Sequence, residues 1–215
     1  VVCIPRAKVD AKYNFYRDIC ILAVANDSIV SKQDIIDITS YLPEMNKGRW
    51  ADTLVVTRKM LKSLPRDIRN RITEGSWSLM RFGHTTNGKT NEAQAAASGR
   101  GLECDKLSKK AVKRFWDGYP MMLIKLAGHH AGKTFCRLEI DSYEAGGQDW
   151  SEVLPYEFMQ RTGYDVRLWL PCIVGNRIIE SHEASKRFKD DFVDVLTSLF
   201  AENYYGYMEQ LAEQS

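Results

Sequence analysis

Tyr13, Tyr16, Ile19, Cys20 and Ala23 fall three and four residues apart, the spacing of one helical face, and predict a helix over 13–25. Ser31-Lys32-Gln33-Asp34 reads as a capping box, so a second helix is expected from there to about Tyr41, burying Ile35, Ile38 and Leu42 and stopped by Pro43. Asn46-Lys47-Gly48 reads as a loop. A third helix fits Arg49 to Leu64, with Trp50, Leu54 and Leu61 inward. Pro65 ends it and opens a fourth over Arg66 to Thr73, because a proline lacks the N–H a helix interior needs but suits a first turn. Residues 1–75 therefore read as a small helical bundle, in outline a helix-turn-helix or winged-helix arrangement.

Alternation replaces helical spacing after that. Residues 76–82 predict a strand, and Gly83 to Gly101 follows without a Val, Ile, Leu, Met or aromatic residue. Loops this long in a compact domain are functional or mobile, and a mobile clamp is expected here. Asp105 to Trp116 reads as a basic helix with Leu107, Val112, Phe115 and Trp116 on its buried side. Met121 to Ala127 and Thr134 to Tyr143 predict one β-hairpin, turning at 128–133. Val166 to Val174 and Arg177 to Ser181, joined by Gly175-Asn176, predict a second, with Pro171 on an edge or at a bulge. Phe188, Phe192, Val195, Leu196 and Leu199 form the stripe of a closing helix that begins near Ser185 and carries on through Phe200, Tyr204, Tyr207 and Leu211. The expected class is α+β: an N-terminal helical region over 1–75, then an α+β region over 76–215 that carries the loop at 83–101.

Composition changes this picture little. An apolar fraction of 44% over 215 residues is enough for a core, and no apolar run is long enough for a membrane helix, so no membrane partner is expected. The chain opens on Val1-Val2 rather than Met, as a trimmed or partial chain would, and shows no secretory h-region. Cys3, Cys20, Cys104, Cys136 and Cys172 are dispersed and odd in number, which predicts free thiols and a reducing, cytoplasmic compartment.

Charge changes it more. Residues 1–135 hold 23 Lys and Arg against 13 Asp and Glu, whereas residues 136–215 hold 7 against 15. The excess of the first part sits in residues 47–114, with 16 basic against 6 acidic residues. Lysines and arginines on phosphates release condensed counterions, so this block predicts a nucleic-acid partner, DNA or RNA. The expected contact residues are Arg49, Arg58, Lys59, Lys62, Arg66, Arg69, Arg71, Lys89, Arg100, Lys106, Lys109, Lys110, Lys113 and Arg114, with Trp50, Trp77 and Trp116 to stack or pack. The leading expectation is a non-catalytic nucleic-acid-binding protein without a cofactor. A structural subunit, self-associating or part of a larger complex through its basic and acidic parts, is an alternative.

A second alternative comes from motif. Gly83-His84-Thr85-Thr86-Asn87-Gly88-Lys89-Thr90 matches G-x-x-x-x-G-K-T, whose Gly83, Gly88, Lys89 and Thr90 would cradle a Mg-nucleotide. Ala127 to Thr134 matches more loosely and leads into a strand pattern, as a hairpin turn would. The alternating strands and helices of a parallel nucleotide-binding sheet are not in the pattern. Glu139 and Asp141 would share a strand face, a weak carboxylate pair for Mg²⁺. His129-His130 lies too far from Cys136 for a structural zinc site, and Tyr204, Tyr205 and Tyr207 read as packing rather than nucleophiles. No residue is assigned a catalytic or metal-binding role.

Overall fold

A computed structural model of the chain describes residues 2–6, 8–9, 12–42, 53–91, 95–140 and 146–215. Along the chain run β1 (Val2–Pro5), β2 (Tyr16–Ala25), β3 (Ile29–Val30), β4 (Ile35–Asp37), β5 (Thr53–Val56), α1 (Arg58–Leu61), α2 (Arg66–Glu74) and β6 (Trp77–Thr85). Then come α3 (Lys109–Gly118), α4 (Pro120–Ala127), α5 (Leu154–Thr162), α6 (Leu170–Ile173), β7 (Ile178–Ile179), α7 (His182–Phe200) and α8 (Tyr207–Glu213). The chain divides into two compact units, 1–86 with 162–192, and 87–161 with 193–215.

The first unit is built on β2, the middle strand of an antiparallel sheet ordered β4-β2-β6. Residues 20–24 of β2 are fully buried, because both faces of the strand are covered. Ile21 and Ala23 pack with Ile38, Leu42, Leu54, Val56 and Leu64, and Ile68 and Ile72 of α2 close over them. Two small pairs complete the strands, β1 with β5 antiparallel and β3 with β7 parallel.

The second unit is helical. Val112 and Trp116 of α3 pack against Met208 and Leu211 of α8, joined by Met121, Ile124, Tyr204 and Tyr207. Between α7 and α8 lies a π-helical turn, Ala201–Gly206.

The expected N-terminal helical bundle is therefore corrected: the described residues of this region form strands with two helices, and no helix-turn-helix is found among them. The stretch 13–25 is the strand β2. Burial on both faces removes the two-residue alternation that would have marked it. Ser31 does cap a helical turn, but one 3-10 turn only (Lys32–Asp34), after which Ile35 and Ile36 enter β4 as β-branched residues do. The third helix shrinks to α1, preceded by β5; Arg49 and Trp50, at its expected start, lie outside the described residues.

The first expected hairpin is absent among the described residues. Met121 to Ala127 belongs to α4, begun by Pro120 at its first turn. In place of the second stand a 3-10 turn (Val166–Trp169) and α6, which places Pro171 at a helix start, while Ile178–Ile179 pairs with β3. The fourth helix, the strand from 76 and the closing helix form as α2, β6 and α7. No described helix is long and apolar enough to cross a membrane.

Candidate functional site

The polar side chains of the second unit gather around the turn 146–151. Asp105, just before α3, takes a hydrogen bond on Oδ1 from Gln148 Nε2 at 2.5 Å and on Oδ2 from Ser151 Oγ at 2.6 Å. The backbone N–H of Leu107 adds a third donor at 3.0 Å. Gln148 returns the contact, its Oε1 accepting from the Lys106 N–H at 3.0 Å. The side chains of Asp105 and Gln148 thus lock two chain segments together.

The other end of the turn is held by the glycine-lysine loop. Asn87 Nδ2 donates to the Gly147 carbonyl at 3.1 Å. Gly146 has φ +77°, a conformation glycine adopts freely, and a Cβ there would stand 3.1 Å from Asn87 Nδ2 and from Lys89 Cγ. Lys89 N–H closes on Asn87 Oδ1 at 3.0 Å, and Gly88 supplies φ +71° at the bend. Further along, the Asn91 N–H and side chain bridge to Gly101 and Gly99, which ties off the loop.

Charge lies against this frame. Lys106 is 1% exposed, and its ammonium meets Glu103 Oε2 at 2.6 Å and stands 5.2 Å from the centre of the Tyr204 ring. The Glu103 carboxylate reaches the surface, its side chain 35% exposed. In the π turn, Asn203 donates to the Leu107 carbonyl at 2.7 Å, and Glu202 pairs with the two terminal guanidinium nitrogens of Arg161. The arginine holds the Glu202 carboxyl below its usual value.

The first unit carries two charged clusters of another kind. Arg81 grips Asp18 through Nε at 2.6 Å and Nη2 at 2.8 Å, with both side chains 2% exposed. Tyr16 donates to the same carboxylate at 3.0 Å; burial, then the Asp18 charge, push its phenol well above the usual range. The second cluster joins Arg167 to Asp165 at 2.6 Å and to Asp37 at 3.6 Å. Cys20 is fully buried beside them, and burial, reinforced by Asp37, pushes its thiol up.

The expected contact residues are divided between the two units. Arg58, Lys59, Lys62, Arg66, Arg69 and Arg71 lie in the first unit; Lys89, Arg100, Lys106, Lys109, Lys110, Lys113 and Arg114 lie in the second. Arg71 is taken up by Asp34 and the Gln33 carbonyl, Lys113 by Asp117, and Lys106 is interior. Trp116 is a core residue, 1% exposed, and Trp77 lies under the Arg71 guanidinium.

The glycine-lysine match has a different physical reason from a phosphate cradle. Gly83 belongs to β6, where a Cβ would run into the phenol of Tyr16, so glycine is needed for packing. Lys89 packs against Gly146, and no described helix opens at Thr90. Glu139 is exposed and lies in no strand, and Asp141 lies outside the described residues. No cluster of three metal-ligating side chains occurs among the described residues. Sequence reasoning missed Asp105, Gln148 and Ser151, because Asp105 lies more than 40 residues from the other two and shares no local pattern with them.

Known proteins give these features a family. A family model described as alpha-L-rhamnosidase, glycoside hydrolase family 106, matches residues 6–215. A Formosa agariphila protein provisionally named a beta-glucuronidase is 31% identical over 218 residues, which cover 96% of this chain and 19% of that protein. The solved structure of a rhamnosidase from Novosphingobium sp. PP1Y superimposes with a TM-score of 0.68 at 30% identity, over 88% of this chain and 16% of that one. The chain thus spans about a fifth of the length of the curated relative it matches. These likenesses overturn the expectation of a non-catalytic nucleic-acid-binding protein, and with it the P-loop and assembly-subunit alternatives: the relatives are named for glycan chemistry, not for nucleic acid. A match that takes in nearly every residue leaves one assignment, and this chain belongs to the glycoside hydrolase 106 family.

Proposed function

We propose that the chain forms part of a glycoside hydrolase that removes a terminal sugar, of the α-L-rhamnose type, from a glycan. The observation that carries this reading is the family match over residues 6–215. Glycosidases of the usual kind work with a pair of carboxyl groups flanking the scissile bond, one protonating the leaving oxygen and the other acting as nucleophile or as base toward water. The sequence Glu139-Ile140-Asp141-Ser142-Tyr143-Glu144 offers three carboxyl groups in six residues, directly before the turn clamped by Asn87 and Asp105. We assign the acid to this run, with Glu144 and Asp141 first in order of test.

The test is hydrolysis of p-nitrophenyl α-L-rhamnoside by this chain and by any longer polypeptide that carries it. Release of nitrophenol that falls about 100-fold or more in Glu144→Gln or Asp141→Asn supports the reading, since general acid catalysis contributes about 10² to 10⁴. Activity that survives both substitutions moves the acid elsewhere, and Glu103→Gln is then the next variant. A β-glucuronide is the second substrate to try, because the Formosa agariphila relative bears that name. Preference for p-nitrophenyl β-D-glucuronide over the rhamnoside would replace the first substrate with the second.

A further inference from the structure

Four large apolar side chains of the second unit stand in water along α3 and α4. Phe115 lies near the end of α3, Tyr119 at its junction with α4, and Met122 and Leu126 on α4. They are 40%, 59%, 56% and 81% exposed. A lone exposed apolar residue is ordinary, but these four follow one another at intervals of four, three and four residues. Such intervals bring helical side chains onto one face, and their alternation is that of a seam that receives a second helix. The Phe115 and Tyr119 rings are 6.5 Å apart, so the first pair is contiguous. The inward side of the same helices is already used: Val112, Trp116, Met121 and Ile124 pack in one core with Met208 and Leu211. The outer stripe takes no part in that core.

Charge narrows what can cover it. Lys110, Arg114 and Lys125 are exposed on these two helices, and their single acid, Asp117, is taken up by Lys113. Arg114 and Lys125 directly precede Phe115 and Leu126, which sets them about 100° round the helix, on the flank of the stripe. A second copy of the chain seated there would bring like charges together, which opposes self-pairing. A helix with acids beside an apolar seam satisfies both features at once. The family has chain to supply one: the matched part is 19% of the Formosa agariphila relative and 16% of the Novosphingobium rhamnosidase.

We infer that the outer face of α3 and α4 is a docking surface for an acidic amphipathic helix from the part of a family 106 polypeptide that lies beyond the matched segment. Phe115, Tyr119, Met122 and Leu126 form the apolar seam, and Lys110, Arg114 and Lys125 select the acids beside it. The inference uses family membership and this surface, and it is independent of which glycoside is cleaved.

Two labelled three-heptad helices probe the chemistry, both with leucines along the seam, one flanked by glutamates and the other by lysines. At low salt the glutamate helix is expected to bind the chain about tenfold tighter than the lysine helix, and the gap should narrow as salt rises. Leu126→Ser should weaken the glutamate helix about tenfold, and Arg114→Glu with Lys125→Glu should reverse the preference between the two. The substituted side chains are exposed, so each variant should keep the parental melting temperature. The source of the helix is read in the full-length Formosa agariphila protein. Substituting aspartate at the position aligned with Leu126 should lower its melting temperature or prevent its folding, whereas Leu126→Asp leaves this chain unchanged. Equal binding of the two helices, or binding indifferent to Leu126→Ser, overturns the docking surface. A full-length relative with an unaltered melting temperature overturns the source. A dimer of this chain in sedimentation that Leu126→Ser abolishes overturns it too, since the face would then belong to a second copy.

Discussion

The two units bury charge in opposite ways. In the first, Arg81 and Asp18 are both withdrawn from water, matched fork to carboxylate across β2 and β6, with a third arginine nitrogen on the Ile4 carbonyl. In the second, only the lysine of the Lys106–Glu103 pair is interior, and the carboxylate stays at the surface. The closed pair ties β2 to β6, and the half-open pair, backed by the Tyr204 ring, anchors the stretch before α3. Both arose within the basic block that suggested a polyanion, so counting lysines and arginines alone does not separate interior charge from a binding face.

The largest effect should come from breaking the closed pair. Arg81→Ala leaves an uncompensated carboxylate in the sheet and is expected to cost about 3–5 kcal/mol in urea unfolding. Combined replacement, Arg81→Met with Asp18→Leu, should recover most of that loss, because both desolvation costs then disappear. Gly83→Ala comes next, at about 1–3 kcal/mol, since the added methyl meets the Tyr16 ring. Its cost should shrink in a Tyr16→Ala background, which a double-mutant cycle would read as coupling.

Lys106→Met is expected to cost about 1–2 kcal/mol, less than Arg81→Ala, because the Glu103 it leaves behind can hydrate. An equal or larger loss would mean that the half-open pair is as structural as the closed one, and would erase the comparison.

Acid should sharpen the picture within the first unit. Burial opposes the charge on Asp165, but the hydrogen bonds from the Arg167 side chain and N–H outweigh it and hold the carboxyl below its ordinary value. The stabilisation this brings is complete above the unfolded-state value of about 3.9 and is lost as pH falls through the lower folded value. Asp165→Asn should therefore flatten the fall of melting temperature below about pH 4. The smallest change is expected from Asp117→Asn, where an exposed i,i+4 partner of Lys113 is lost; stability should move by no more than about 0.5 kcal/mol.

The parts of the fold legible in sequence were those with one wet and one dry face. Phe188, Phe192, Val195 and Leu199 announce α7, and Arg66 to Thr73 after Pro65 announces α2, because each shows solvent and core a different side. β2 failed because residues 20–24 see no solvent at all, and a run without polar positions has no period to read. Met121 to Ala127 failed for the opposite reason: Met122 and Leu126 are exposed yet apolar, so the letters do not mark the wet face, although Pro120 ahead of them is a signal for a helix start that could have decided the matter.

In the candidate site, the loop around Asn87, Gly88 and Lys89 stood out as unusual, and it braces the segment at Gly147. Its role was not legible, because Gly146 and Gly147, which it braces, lie some 60 residues away. Asp105 was invisible for the same reason: its partners are set by the fold, not by spacing.

The π turn has a consequence for how the chain can change length. Before it the apolar buried positions are Phe188, Phe192, Val195 and Leu199; within it Asn203 is buried, and after it Met208 and Leu211. An uninterrupted helix keeping its step of about 3.6 residues would have turned positions near 206 and 210 inward instead. One residue has in effect been inserted, and everything downstream is rotated to meet α3. Removing a single residue between 201 and 206 would let a plain helix run through and move Leu211 to position 210, one of the inward positions, so its side chain would stay on the face that meets α3. Family members are expected to differ by one residue in this stretch more readily than in the plain helix on either side of it.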